Sequence, residues 1–462
     1  MDESPAATYH AALAFLPTGW QQDVIFDVAA NGDFTSVRSG AAPGSAIRLH
    51  GPVLPGMPNV HSHAFQRAFA GRAERRSAGA RDSFWTWRET MYAVAERLDP
   101  EQFEAIATGV YLEMLRAGYT SVGEFHYMHR DPNGAWYARH SELAQRVLGA
   151  AQRTGIALTL LPVLYTYAGF GARAPDRRQH RFILSTDEYL GLWDELASLF
   201  AGVDDVRLGT APHSLRAVAP AQLAAVVAHV RSCDARAPIH IHVAEQEREV
   251  ADSLAGLGAR PVRWLLANAA VDERWCLVHA THLDDAEVAS LAASGAIAGL
   301  CPTTEANLGD GLFPLQAYLA QGGRLGIGSD SQVTVDVREE LRWLEYGQRL
   351  ATQRRIIACD DSIASVGEYL YRTSTTGGTL GLDRNAGELA PGKRADFVVL
   401  DGEALAGGAE DTPTLLDRYL FATSRPAVRD VVVGGRWVIR EGHHRAEEAI
   451  ELAYRHTLRE LF

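Results

Sequence analysis

Only one lysine, Lys393, occurs among the 462 residues. Any mechanism that needs a lysine side chain must use that one or be ruled out. Cysteine is also scarce. Cys233, Cys276, Cys301 and Cys359 stand far apart and form no C-x-x-C pair, so they read as reduced, mostly buried thiols of a cytoplasmic protein. Long hydrophobic runs are missing: no uninterrupted apolar stretch approaches about 18 residues, so no helix is expected to span a bilayer. The opening Met1-Asp-Glu-Ser-Pro5 has neither a basic n-region nor an apolar h-region, and no signal peptide is expected. Positive charge is in deficit. A net charge of −13 argues against nucleic acid or a membrane surface as partner. A small anionic substrate stays open, because local arginines decide that.

What is present is enough for one large domain and a smaller one, since 47% of the chain is hydrophobic. Residues 1–55 are rich in strand and turn signals. Val24-Ile-Phe-Asp-Val28 and Phe34-Thr-Ser-Val37, separated by a Gly/Asp turn, predict a hairpin. Short apolar runs then alternate with amphipathic stretches such as 102–117, 219–233 and 284–294. The runs lie at 121–125, 157–165, 206–212, 238–245, 275–281, 296–301 and 325–330, and the strand ending at His61 brings them to eight. Eightfold alternation reads as a (β/α)8, TIM-like barrel. A doubly wound open sheet alternates in the same way, but no G-x-G-x-x-G turn follows an early strand here. From about residue 386 strand patterns return, at 387–401 and at 428–440 around Gly434-Gly435. They are expected to pair with the first strands. The predicted organisation is a small discontinuous β-sandwich domain (1–55 and 386–462) beside an α/β barrel (56–385). Residues 407–413 read as a surface loop, and no internal repeat is found.

The chain is organised around Met57-Pro-Asn-Val-His61-Ser-His63-Ala-Phe-Gln66-Arg67. Residues two apart share a face of an extended chain, so His61 and His63 can approach one metal ion together, and imidazole suits zinc and similar ions. Histidine pairs also occur in solvated loops, so the downstream order matters. Functional residues of such barrels sit at the C-terminal ends of strands. Those ends here bring His61 and His63, His213 and Arg216, His240, His242 and Glu245, His279, and Asp330. Each alone could be structural; together on one face they are costly unless used. His242 lies nearer the strand end and is assigned to the metal, whereas His240 reads as a core histidine with a hydrogen-bond partner. His282 and His126 rank below His279.

These features resemble the amidohydrolase superfamily: Pro58-Asn-Val-His61-Ser-His63, His242, His279, Gly328-Ser-Asp330-Ser and the tail Pro391-Gly-Lys-Arg-Ala-Asp-Phe-Val-Val-Leu400. Some branches bridge two metals with a carboxylated lysine on the fourth strand, but Lys393 lies in the terminal segment. The resemblance therefore implies one divalent ion, zinc by ligand preference, held by His61, His63, His242 and Asp330. His242-Val-Ala-Glu245 gives the H-x-x-E of the deaminating branch. Within it, segments at 61–67, 84–92, 123–127, 211–216, 242–246 and 339–348 resemble the formimidoylglutamate deiminases. That likeness implies hydrolysis of N-formimino-L-glutamate to N-formyl-L-glutamate and ammonia in histidine degradation. It assigns Glu245, His279 and Asp330 to proton transfer and Gln66, Arg88, Tyr127, His213 and Arg216 to the substrate, and it suggests a homodimer. Gln332 stands where that family has histidine. The competing readings are a deaminase of a purine, pyrimidine or related ring, and a relative without activity.

Overall fold

Parallel barrel strands are covered on both faces and so read as nearly continuous apolar runs. The chain follows that rule. We describe a computed structural model covering residues 6–76, 82–405, 407–408 and 411–462. Met1–Pro5 and two residues of the expected 407–413 loop lie outside the described residues.

The chain opens with β1 (Ala7–Leu16), β2 (Gly19–Val28), β3 (Phe34–Arg38), β4 (Ile47–Leu49) and β5 (Val53–Pro55). The predicted hairpin is the antiparallel pair β2–β3. Nine parallel strands follow: β6 (Met57–Ser62), β7 (Tyr119–His126), β8 (Ala157–Leu164), β9 (Val206–Leu208), β10 (Ala211–Pro212), β11 (Ile239–Val243), β12 (Trp275–His279), β13 (Ile297–Leu300) and β14 (Arg324–Ile327). β9 and β10 are two halves of one stave, both paired with β8, so the barrel has the expected eight. It closes where β10 meets β11: His240 N donates to Thr210 O and His242 N to His213 O, each at 3.0 Å. All eight residues of β7 and of β8 are buried, as the doubly covered strands require.

The last strands, β15 (Phe397–Leu400), β16 (Val428–Val433) and β17 (Arg436–Ile439), extend the first sheet through the antiparallel pair β15–β5. That sheet encloses its own apolar cluster, in which Phe26 and Phe34 stack on Phe397 and Tyr9 meets Phe397 edge-on. Two features were not read from the sequence. The chain ends in a helix, Glu447–Leu461, that returns to the barrel and lies on the helix Pro100–Arg116. Arg116 holds Glu447 and Glu451 there, each at 2.8 Å. Cys276 and Cys301 are buried as expected, but Cys233, at the end of the helix Pro220–Cys233, is exposed. No helix among the described residues is long and apolar enough to cross a membrane.

The helix Val366–Gly381 lies directly on β14 and β6. Gly377 permits that approach, because a Cβ there would overlap the Leu325 carbonyl. Gly377→Ala should therefore lower stability by about 3 kcal/mol through overpacking. Gly191, in the helix Thr186–Phe200, faces open space; Gly191→Ala should raise stability by about 0.5–1 kcal/mol. Thermal unfolding of both variants checks the contrast, and equal effects would contradict the packing argument.

Candidate active site

Five of the twelve non-glycine residues with positive φ among the described residues cluster at the C-terminal rim of the barrel: Ala244 (+52°), His279 (+68°), Ala280 (+48°), Asp330 (+45°) and Gln332 (+61°). Such backbone is held only where its surroundings over-determine it, and it concentrates at functional sites. The hold is visible at the first strand. Asp330 N donates to His61 O and His63 N to Asp330 O, both at 3.0 Å. Gly328 leaves the space that the His61 backbone and Cβ occupy. Asn59 clasps the same two strands, donating to Ser329 Oγ at 2.6 Å and accepting from Ser329 N at 3.1 Å.

The result is a tight polar cluster. His61 Nε2 lies 3.2 Å from His63 Nε2 and 3.0 Å from His242 Nε2. Asp330 Oδ1 is 3.5 Å from His61 Nε2 and 3.4 Å from His63 Nε2. His63 Nδ1 is 3.0 Å from the Phe125 carbonyl; the proton it donates there leaves Nε2 with a lone pair. Burial lowers His61 to about 4 and His63 to about 3, and holds His242 well below its ordinary value. All three are thus neutral at pH 7, the form that binds metals. Three imidazole nitrogens this close cannot satisfy one another with protons. Their spacing is near the roughly 3.3 Å between ligands of a tetrahedral ion with bonds of about 2.0–2.1 Å. The donor set fits a divalent cation.

Beside the cluster stand two more ionisable groups. His279 Nε2 is 3.8 Å from Glu245 Oε1 and 3.9 Å from Asp330 Oδ2, and its Nδ1 is 3.3 Å from Glu305 Oε1. Burial alone would lower His279, but the three carboxylates push it up to about 10. Burial raises Glu245, against the opposing pull of His279 and Arg216. A carboxyl so raised is suited to carry and release a proton.

The cluster opens into a cleft. Gln66, Arg88, Tyr127, His213 and Arg216 all line it, together with His63, His242, Glu245, His279 and Asp330. Gln66 Nε2 donates to the Tyr127 hydroxyl at 2.7 Å. Among the described residues, Arg88 Nε and Arg216 Nε are buried without a hydrogen-bond partner. His240 lies outside this lining, with Nε2 2.7 Å from Gly381 O, and His282 Nε2 is 2.8 Å from Asp310 O. Sequence reasoning missed the cleft's aromatic wall, which includes Phe84, Trp87, Tyr92, Tyr165 and Phe182. Tyr165 directly follows β8, so its strand-end position was a usable signal; Phe182 follows no strand and gave none.

Glu124, on β7, accepts from Ser62 Oγ at 2.6 Å, Ala64 N at 2.8 Å and Tyr111 Oη at 3.1 Å. It thereby pins the backbone that carries His61 and His63. Burial nevertheless raises it from 4.5 to about 7. A carboxyl raised on folding contributes stability that is complete below its unfolded value and is lost as pH rises through its folded value. Glu124→Gln removes that titration. Stability of the wild type minus that of the variant, from urea unfolding of chelator-treated protein, should fall between roughly pH 4.5 and pH 7. A flat difference would contradict a buried, titrating Glu124.

Comparison with known proteins agrees with this geometry. Residues 53–438 match the Amidohydrolase family. The chain is 52% identical to formimidoylglutamate deiminase of Pseudomonas aeruginosa, over 98% of each chain. It is 27% identical to a 5-methylthioadenosine/S-adenosylhomocysteine deaminase of Natronomonas pharaonis, over 92% of this chain and 90% of that one. Among solved structures, an amidohydrolase from Brucella melitensis superposes with a TM-score of 0.92 at 44% identity, covering 98% of this chain and 99% of that one. An adenosine deaminase from Xanthomonas campestris with bound zinc shares the fold, with a TM-score of 0.81 at 22% identity over 99% of both chains. With its barrel, its second sheet and its rim of histidines and carboxylates, the chain belongs to the amidohydrolase family.

Proposed function

We propose that this protein is a metal-dependent hydrolase that deiminates N-formimino-L-glutamate to N-formyl-L-glutamate and ammonia, a step of histidine degradation. The observation that carries the reading is the pair of buried, unpartnered guanidinium Nε groups of Arg88 and Arg216, lining the same cleft as the histidine cluster. Unpaired donors of this kind are costly to bury without an anionic partner. The substrate brings two carboxylates around a small amidine. The P. aeruginosa relative named above points the same way.

His61, His63, His242 and Asp330 would hold one divalent ion, and imidazole with carboxylate favours zinc. A carboxylated-lysine bridge to a second ion has no candidate, since Lys393 sits 3.7 Å from Glu388 in the turn before β15. Such an ion supplies Lewis acidity, lowering the pKa of a water to about 7. The chain's own groups do the rest. Arg88 and Arg216 take the carboxylates as planar forks, and Gln66, Tyr127 and His213 add hydrogen bonds. His279, held protonated by the carboxylates around it, and Asp330 orient the water, and Asp330 takes one of its protons as its oxygen adds to the formimino carbon. Glu245 delivers a proton to the imino nitrogen and then passes to the same nitrogen the remaining proton of the new hydroxyl; the C=O bond forms, the C–N bond to that nitrogen breaks, ammonia leaves, and the proton on Asp330 returns to Glu245. The aromatic wall excludes bulk water and so strengthens each charge contact. A cytoplasmic homodimer is our reading of location and assembly, supported by the free cysteines and the family likeness.

The same aromatic wall favours a second reading, deamination of a stacked purine or pyrimidine ring. Ammonia release over a panel of formimino amino acids and nucleobases separates the two. N-formimino-L-glutamate should be preferred. Arg216→Met should keep the metal and lower kcat/KM about a hundredfold, as for a lost charge-assisted contact of roughly 3 kcal/mol. Arg216→Lys should recover part of it, because an ammonium lacks the planar fork. A nucleobase turned over faster than any formimino compound would replace the deiminase reading with the ring-deaminase one.

Elemental analysis should find about one metal per chain, lost together with turnover in His61→Ala and Asp330→Ala. Glu245→Gln should retain the metal and lose on the order of 10²-fold or more in kcat. Two tightly bound metals per wild-type chain would remove the mononuclear assignment. Loss of metal in Glu245→Gln would make Glu245 a ligand.

A further inference from the structure

Glu249 lies in the first turn of the helix Glu247–Leu257 just beyond β11, and its side chain is almost fully buried. Its carboxylate serves two masters. It accepts from the backbone N–H groups of Ala244 and Glu245, both at 3.2 Å. It also holds Arg216 Nη1 at 3.3 Å. Ala244 is one of the positive-φ residues, so these two bonds fix a turn that would otherwise relax. Arg216 Nη2 lies 3.9 Å from Glu245 Oε2, and its Nε has no partner.

We propose that Glu249 is the positioning residue that couples carboxylate recognition by Arg216 to the placement of Glu245; this rests on the deiminase reading. By anchoring Nη1, Glu249 leaves Nη2 and Nε as the free fork for a substrate carboxylate. By the same grip it keeps the guanidinium from collapsing onto Glu245, the next carboxylate in reach. Such a collapse would cost the site its anion receptor and its proton carrier together. The turn and the arginine answer to one side chain, so a substrate without the matching carboxylate meets a site that discriminates against it.

The test measures kcat and KM for wild type, Glu249→Gln, Glu249→Asp, Arg216→Met and the Glu249→Gln/Arg216→Met double variant. Substrates are N-formimino-L-glutamate and formimino compounds lacking one or the other carboxylate, with metal content recorded. Glu249→Gln should keep its metal, lose on the order of 10- to 100-fold in kcat, as outer-shell partners do, and lose much of the preference for two carboxylates. Glu249→Asp, which keeps the charge, should recover part of both. The double variant should be little worse than Arg216→Met alone, because one interaction is removed twice. A merely structural role would lower the active fraction without moving KM or substrate preference, and its effect would multiply with that of Arg216→Met. Either result, or a Glu249→Gln variant with wild-type kcat and preference, overturns the proposal. Wild-type protein that releases no ammonia from N-formimino-L-glutamate overturns the deiminase reading itself and, with it, this inference.

Discussion

The approach of three imidazole nitrogens to within 3.0–3.2 Å along the path His63–His61–His242, with a carboxylate 3.4–3.5 Å away, is the constraint on which the rest depends. Groups of this kind repel or remain unsatisfied when buried without a cation. The fold must hold them there regardless, and it does so with backbone. Two reciprocal hydrogen bonds lock Asp330 to the end of β6. Asn59, Glu124 and the Phe125 carbonyl fix the same strand from three other directions. The positive-φ residues at the ends of β11, β12 and β14 are where the strain of that convergence is stored.

Charge is managed on two scales. A chain of net charge −13 repels a dicarboxylate at long range, within the reach that salt allows. Inside the cleft the sign is reversed locally. Most other arginines that pair with acids do so at helix ends and between elements, as Arg116, Arg146 and Arg338 do. Arg88 instead lies 4.6 Å from the Trp85 ring and 5.5 Å from the Tyr92 ring. Aromatic faces hold its charge without consuming its donors. Arg216 is gripped at Nη1 by Glu249, with the Glu245 carboxylate 3.9 Å from Nη2 and with Nε unpartnered. The aromatic wall therefore need not mean a stacked substrate; it also keeps two cations dry and available.

The period-two pair His61/His63, the eight apolar runs and the strand-end residues were legible because each depends on local pattern and on the rule that sites gather at one rim. His240 and His242 were told apart by depth alone, and His240 does sit against Gly381 O, away from the cleft. The partners that tune the site were not legible. Glu305 meets His279, Glu249 meets Arg216, and Glu124 meets Ser62 only because helices and strands distant in sequence pack together. The closing helix was missed because the β-domain was drawn on to residue 462 although its last strand pattern ends at 440. Its amphipathic stretch packs on the helix Pro100–Arg116.

Gln332, where the resemblance led us to expect histidine, is held by three side-chain hydrogen bonds. Its Nε2 donates to Ser62 Oγ at 3.0 Å and to Asp330 O at 2.8 Å, while its Oε1 accepts from Ser329 Oγ at 2.8 Å. A neutral imidazole offers one donor and one acceptor, so it could make only two of these three bonds at once. The amide makes all three and is fully buried doing so. Its own carbonyl accepts from Arg67 Nη1 at 2.7 Å, which ties in the segment just after His63. Glutamine therefore joins the strand that carries His61 and His63 to the loop that carries Asp330. Gln332 thus belongs to the scaffold behind the polar cluster, bonded to the segments that carry its side chains and not to those side chains themselves.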